Sequence, residues 1–452
     1  MQKWLKKILV ILLWLAVWQL VSVVVNNDIL VASPLTTLTS LIANLTSSRF
    51  YKAVGLSMLH IGLGWLAAFT LGLALAVPAW RWPIIEQLLS PLLTLMKSVP
   101  VVCFIVMLLI WFGRGWIAFY AVFMIAFPSV YFAVLEGLGQ RDEKLSEMLD
   151  LFGVSNLRKL AVYHWPTILP FLQAASKSAI GMSWKSGVAA ELIGLPLGSI
   201  GEGIYQAKIL LDSAAVFSWT FVVVALSILA EFCWLKLLSK TDDWAWQLAL
   251  PQPSQRLPAE NVPPKPVTAS HLNKSFEDKH VLKDLIFTLQ PGKRYLLSAP
   301  SGTGKTTLLR LIAGLDEPGS GSLTNDNRTS MVFQEARLFE GRSAVQNVQM
   351  VAGAYCSEET VRSVLGCLLP ADALDLPVDQ LSGGMRRRVE LCRALVMPSQ
   401  LVLLDEPFAG LDTANSAMAQ ELLLNMLDGR TLVVVSHDEP DIESLQAEVI
   451  GL

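Results

Sequence analysis

Leu296-Leu-Ser-Ala299-Pro-Ser301-Gly302-Thr-Gly304-Lys305-Thr306-Thr307 decides how this 452-residue chain is read. An apolar strand runs into a glycine-rich loop and the loop opens a helix, which is the setting a phosphate-binding loop requires. Backbone N–H groups of such a loop and the positive end of the helix converge on a phosphate. Lys305 adds charge at the β and γ oxygens, and Thr306 offers a hydroxyl to Mg2+. Ser301, Gly302, Gly304 and Thr307 complete the candidate cradle. The first glycine of the usual G-x-x-x-x-G-K-T pattern is Ala299. Alanine disfavours the left-handed backbone that glycine accepts, so a slightly altered turn is expected there.

About 100 residues further on, Leu401-Val-Leu-Leu-Asp405-Glu406-Pro407 reads as a buried strand that ends in two acids. At that distance from the phosphate loop, Asp405 is placed to join the Mg2+ shell and Glu406 to polarise the attacking water.

Away from these motifs the composition divides. The chain is 53% hydrophobic and 16% charged, against about 25% charged in ordinary soluble domains. All 14 tryptophans fall between Trp4 and Trp246. Residues 1–250 carry 17 Lys/Arg and 13 Asp/Glu, whereas the remainder carries 18 and 25. The reading is a membrane half joined to a soluble, acidic half, and a net charge of −3 gives no argument for nucleic acid as a partner. Five scattered cysteines without C-x-x-C spacing read as reduced thiols.

Apolar runs of roughly 20 residues, enough to cross a bilayer, occur at 8–25, 55–79, 88–112, 116–137, 168–194 and 215–238. The first follows Lys3, Lys6 and Lys7 but exceeds a usual signal-peptide core and lacks an A-x-A site, so a retained span is expected. Six spans with basic residues concentrated in the inside segments put both termini in the cytoplasm. Lys97 and Lys185 are read as snorkelling, His60 as a packing residue, and Glu191 as either packing or part of a gate. Residues 138–167 form the longest inside loop. There Glu147, a Gly153 that permits a tight turn, and Pro166 suggest a helix, a turn and a second helix. Six prolines between Pro251 and Pro266 suggest a semi-rigid tether with a reach of about 50 Å.

Leu381-Ser382-Gly383-Gly384-Met385 resembles the signature sequence of ATP-binding cassette (ABC) proteins, with Met385 in place of the usual glutamine. The resemblance covers residues 270–452 and is nearest the nitrate, sulfonate and taurine importer ATPases. It implies that Ser382, Gly383 and Gly384 contact the γ-phosphate held by the opposite subunit. By the same resemblance Gln334 is the glutamine that senses Mg2+ and the membrane domain, Asp412 belongs to the D-loop, and His437 is the switch histidine. Phe276 is either the aromatic that stacks on adenine or an ordinary core residue. The domain looks short for the family, so its usual C-terminal helices are expected to be missing. Residues 26–240 resemble permeases of binding-protein-dependent importers. Glu147-Met-Leu and Gly153 match their EAA loop, which implies a coupling helix docked near Gln334, with Glu147 and Gly153 as its key residues.

The expected architecture is an all-α, six-helix transmembrane permease domain (1–245), a Pro-rich linker (246–268) and an α/β P-loop ATPase domain (269–452). The resemblance implies ATP and Mg2+ as cofactors, and a second copy of the same chain as partner in a homodimer with two composite ATP sites. It also implies an extracytoplasmic solute-binding protein that delivers a small polar or anionic solute across the inner membrane. An exporter and an ATPase-coupled sensor are the competing readings. A membrane half of roughly 240 residues with an EAA-like loop favours import over export, and intact Glu406 and His437 argue against a dead cassette.

Overall fold

The computed structural model describes residues 2–250, 262–276, 279–300, 302–436 and 445–451. Ser301, His437 and most of the expected linker lie outside them. Two compact units result: one comprises 1–141 with 164–243, the other 142–163 with 244–452.

The first unit is helical. Its first six helices are α1 (Gln2–Val25), α2 (Pro34–Leu45), α3 (Ser48–Arg81), α4 (Pro83–Ser98), α5 (Val101–Phe112) and α6 (Ile117–Gly139). Beyond the inside loop, whose helices are α7 (Glu143–Leu151) and α8 (Asn156–Lys159), come α9 (Trp165–Gly194), α10 (Ile200–Ile209) and α11 (Ser213–Ala249). Helices α3, α6 and α9 form the packed centre, around fully buried Ala68, Ala76, Val130, Tyr131 and Leu172. Small residues let these helices approach, as in other membrane bundles. A Cβ on Gly64 would lie 2.6 Å from the Phe119 carbonyl oxygen, and one on Gly137 would lie 2.9 Å from the Ile168 Cα.

Among the described residues four helices are long and apolar enough to cross a membrane: Trp4–Val25, α3, α6 and α11. The expected single span at 88–112 is corrected to two helices, α4 and α5, bent by 105°. Pro100 is the cause: it has no N–H to continue the ladder, and it pushes Val99 into extended backbone (φ −78°, ψ 133°). The bent pair counts as one span at most. The fifth expected span, α9, has 30 residues and therefore about 45 Å of length, but Lys177, Lys185 and Glu191 keep it outside the apolar class. Glu191 is fully buried and its Oε2 accepts from the Ser57 hydroxyl (2.7 Å) and the Gly201 N–H (3.1 Å). The carboxylate thus sits at the start of α10 and ties it to α3 and α9, as a packing role requires.

The second unit contains an antiparallel sheet in the order β2 (Lys279–Leu289), β1 (Val267–Phe276), β4 (Ser320–Thr324). Its parallel sheet has the order β5 (Thr329–Val332), β6 (Leu401–Asp405), β7 (Thr431–Val435), β3 (Arg294–Ser298), β8 (Glu448–Gly451). Strands β5, β6 and β7 are buried at every residue, which is why they read as unbroken apolar runs. Around the sheets lie α12 (Lys305–Ile312), α13 (Ala344–Ala352), α14 (Glu358–Gly366), α15 (Gly383–Val396) and α16 (Thr413–Met426). Parallel pairing puts the ends of β3, β5, β6 and β7 on one edge, where open α/β sheets bind ligands.

Candidate functional site

The phosphate loop leaves β3 and enters α12 through two left-handed glycines, Gly302 (φ 80°) and Gly304 (φ 98°). Gly304 has a second reason to be glycine: a Cβ there would lie 2.6 Å from Val281 Cγ1. Ala299 is not among the residues with positive φ. The altered turn expected from the missing first glycine is therefore not needed, because the backbone at that position suits alanine. The Lys305 Nζ donates to the loop carbonyls of Ala299 (2.5 Å) and Pro300 (3.0 Å), which holds its charge inside the cradle.

At the end of β6, Asp405 is almost completely buried and its Oδ2 has no hydrogen-bond partner. Burial pushes its carboxyl above the usual range, while a hydrogen bond with Thr306 opposes that shift. A buried carboxylate oxygen without a donor, beside a hydroxyl, is an oxygen-only donor set of the kind hard divalent cations take, so these residues fit Mg2+. Glu406 follows in left-handed backbone (φ 49°), its N–H bonded to the Val435 carbonyl at 2.9 Å. A bulky residue in that region is strained, and such strain gathers at functional sites. Arg387 fixes this turn from α15 by donating to the Asp405 and Glu406 carbonyls and to the Phe333 carbonyl.

Gln334, Ser382, Gly383, Gly384, Arg387 and Asp412 line one cavity of about 620 Å³. Ser382 caps α15 through the Met385 N–H, and Asp412 caps α16 through the Asn415 N–H, which together with the Asn415 side chain holds its carboxyl below the usual range. Met385 therefore keeps its place in the motif through its backbone, whatever its side chain. Phe276 is half exposed, with the Lys274 ammonium 5.2 Å from its ring centroid, so the core alternative falls away.

Glu147 lies on α7. Asp142 caps that helix, and Gly153 (φ 69°) ends it with paired Val154 N–H to Leu149 and Gly153 N–H to Asp150 bonds, the Schellman arrangement. The tight turn expected at Gly153 is present. Glu147 accepts a fork of bonds from Arg310 (2.9 and 3.0 Å) and another from Arg337 (2.9 Å). Arg310 and then Arg337 hold its carboxyl below the usual range, against the opposing effect of burial. Lys144 pairs with Glu335, the neighbour of Gln334. Arg310, Arg337 and Arg387 were missed from sequence. Arg310 and Arg387 had a usable signal, their places on the helices that the phosphate loop and the signature sequence open.

Two family models match the chain: "ABC transporter" over residues 282–409, and "Binding-protein-dependent transport system inner membrane component" over 61–238. An aliphatic sulfonates import ATP-binding protein of Rhodococcus jostii is 37% identical over 185 residues, covering 39% of this chain and 75% of that protein. One of Nocardia farcinica is 37% identical over 195 residues, covering 42% and 78%. A solved dimeric structure of a bacterial ABC transporter cassette is 26% identical, covers 41% of this chain and 94% of its own, and has a TM-score of 0.38. The chain belongs to the ABC transporter family and unites, in one polypeptide of the membrane, an importer-type permease with an ATPase whose hydrolysis of ATP is coupled to transport.

Proposed function

We propose that this protein imports a small polar or anionic solute across the inner membrane, with the ATPase unit in the cytoplasm and a separate solute-binding protein delivering the cargo. The observation that carries this reading is the ion-paired Glu147: an EAA-like helix gripped by two arginines of the ATPase unit is the contact an importer of this kind needs. Two copies of the chain form a homodimer, because the phosphate loop of one cassette needs the Ser382–Gly384 turn of another. A symmetric pair is the simplest closed solution. The named relatives make aliphatic sulfonates the first solutes to test.

In each composite site Gly302, Gly304, Thr307 and Ser301 cradle the phosphates and Lys305 neutralises their charge. Thr306, Asp405 and Gln334 would hold Mg2+, which would supply charge compensation to the phosphates. Glu406 orients and polarises the water, His437 contacts the γ-phosphate, and Phe276 stacks on the adenine. Asp412 sits where the two cassettes meet. ATP binding closes the pair, and Glu147 with Gly153 passes that closure to the permease, a two-state switch biased by the γ-phosphate.

The test is ATP hydrolysis in proteoliposomes, with and without a solute-binding protein loaded with an alkanesulfonate. Several-fold stimulation by the loaded protein supports import. Stimulation by hydrophobic drugs alone, with no response to the binding protein, favours export and overturns the proposal.

A further inference from the structure

The last helix of the membrane half does not stop at the membrane half. Helix α11 runs unbroken for 37 residues, and its end, from Trp244, belongs to the ATPase unit. There the Trp246 side chain is buried at 2% exposure. Its ring meets Phe339 edge-on, with centroids 5.3 Å apart, and the Arg342 guanidinium stands 4.5 Å from the indole centroid. Phe339 cannot yield easily, because Asn347 bonds both its N–H (2.7 Å) and its carbonyl (3.2 Å). The Trp246 Nε1 has no acceptor, so the ring is held by packing and by its π-face rather than by a polar bond.

A second contact closes the same end. The last carbonyls of a helix have no partner within it and carry the negative end of its dipole. Arg158, on α8, donates its Nε–H to the carbonyl of Ala249, the final residue of α11 (2.8 Å), and an Nη2–H to that of Met350 in the last turn of α13 (2.5 Å). One guanidinium thus joins two helix ends by charge-assisted bonds.

Phe339 and Arg342 lie on the segment that follows Gln334, and the same segment carries Glu335 to Lys144 and Arg337 to Glu147. It is therefore gripped at one end by α7 and at the other by the end of α11. We propose that Trp246 and Arg158 form a second coupling contact, through which movement of the Gln334 segment drives the last span directly, independently of Glu147. Helix α11 is continuous from Ser213 to Ala249, about 55 Å of chain, so a shift of its last turn has an unbroken backbone path into the span. The inference rests on the reading of Gln334 as the residue that responds to bound nucleotide. Trp246 and Arg158 are positioning residues and touch no nucleotide.

The test is hydrogen–deuterium exchange of the full-length chain in lipid nanodiscs, with Glu406→Gln as parent to hold ATP, compared with and without ATP and Mg2+. Trp246→Ala and Arg158→Met are each expected to keep ATP affinity within about twofold and the ATP-dependent change at residues 142–163. Each should lose more than half of the change at residues 213–249. Trp246→Phe restores it, since the ring contact survives and no hydrogen bond is lost. A change at 213–249 that persists in Trp246→Ala overturns this inference alone, as does equal loss in the Ala and Phe variants. A parent with no ATP response anywhere overturns the reading of the Gln334 site and this inference with it.

Discussion

Glu147 and Arg310 are separated by 163 residues and meet in a two-pronged ion pair, with N–O distances of 2.9 and 3.0 Å. Arg310 is in turn held by Asp316 at 2.8 Å, so its guanidinium is anchored from a second side within the ATPase unit. Oriented, partly buried pairs of this geometry contribute more than mobile surface pairs. Glu147→Gln is expected to lower solute transport per ATP hydrolysed far more than hydrolysis itself. A double-mutant cycle with Arg310→Met, read by thermal unfolding, should give a coupling of about 1–3 kcal/mol.

The same carboxylate sets a pH dependence. Its folded pKa is depressed below the unfolded value of 4.5 by Arg310 and Arg337. A depressed carboxylate contributes stability that is fully present above the unfolded value and is lost as pH falls through the folded one. Wild type and Glu147→Gln should therefore differ in unfolding midpoint by a constant amount at neutral pH, with the difference shrinking below about pH 4.5. A difference that grows on acidification contradicts the assignment.

Lys305→Ala removes the only side-chain ammonium that reaches the Ala299 and Pro300 carbonyls of the phosphate loop among the described residues. Charge-assisted contacts of this type are worth about 1.5–3 kcal/mol, so ATP affinity should fall by roughly 10- to 100-fold. Direct titration of the purified protein measures it, and unchanged affinity removes Lys305 from the phosphate site.

Gly137→Leu should destabilise the membrane half. The missing Cβ of Gly137 is what lets α6 lie against the Ile168 backbone. Forcing a side chain between them costs about 1–3 kcal/mol by overpacking, visible as a lower unfolding temperature in detergent.

The candidate nucleotide site is the part the sequence marks most directly, because phosphate-loop chemistry asks for fixed residue types at fixed places. Gly302, Gly304, Lys305, Thr306, Asp405 and Glu406 are proposed for it from their neighbours in the chain. What holds the site together was less visible. Arg337 reaches Glu147 across 190 residues, and Arg387 acts through backbone carbonyls, which any sequence provides. Arg393 sits fully buried beside Glu390, although arginine on a polar helix reads as solvent-facing. The bend between α4 and α5 was hidden for a different reason. Hydropathy summed over a window is blind to Pro100, whose effect is on direction rather than polarity. Helix α2, too short to span, and the end of α11 in the ATPase unit were likewise outside what apolar length can report.

The proposed mechanism requires two copies of the chain enclosing two nucleotides, and native mass spectrometry of the Glu406→Gln protein with ATP and Mg2+ measures that directly. A particle of two chains and two ATP molecules, with hydrolysis abolished, is the expected result. A single chain that binds ATP and, without that substitution, hydrolyses it at full rate as a monomer would contradict it.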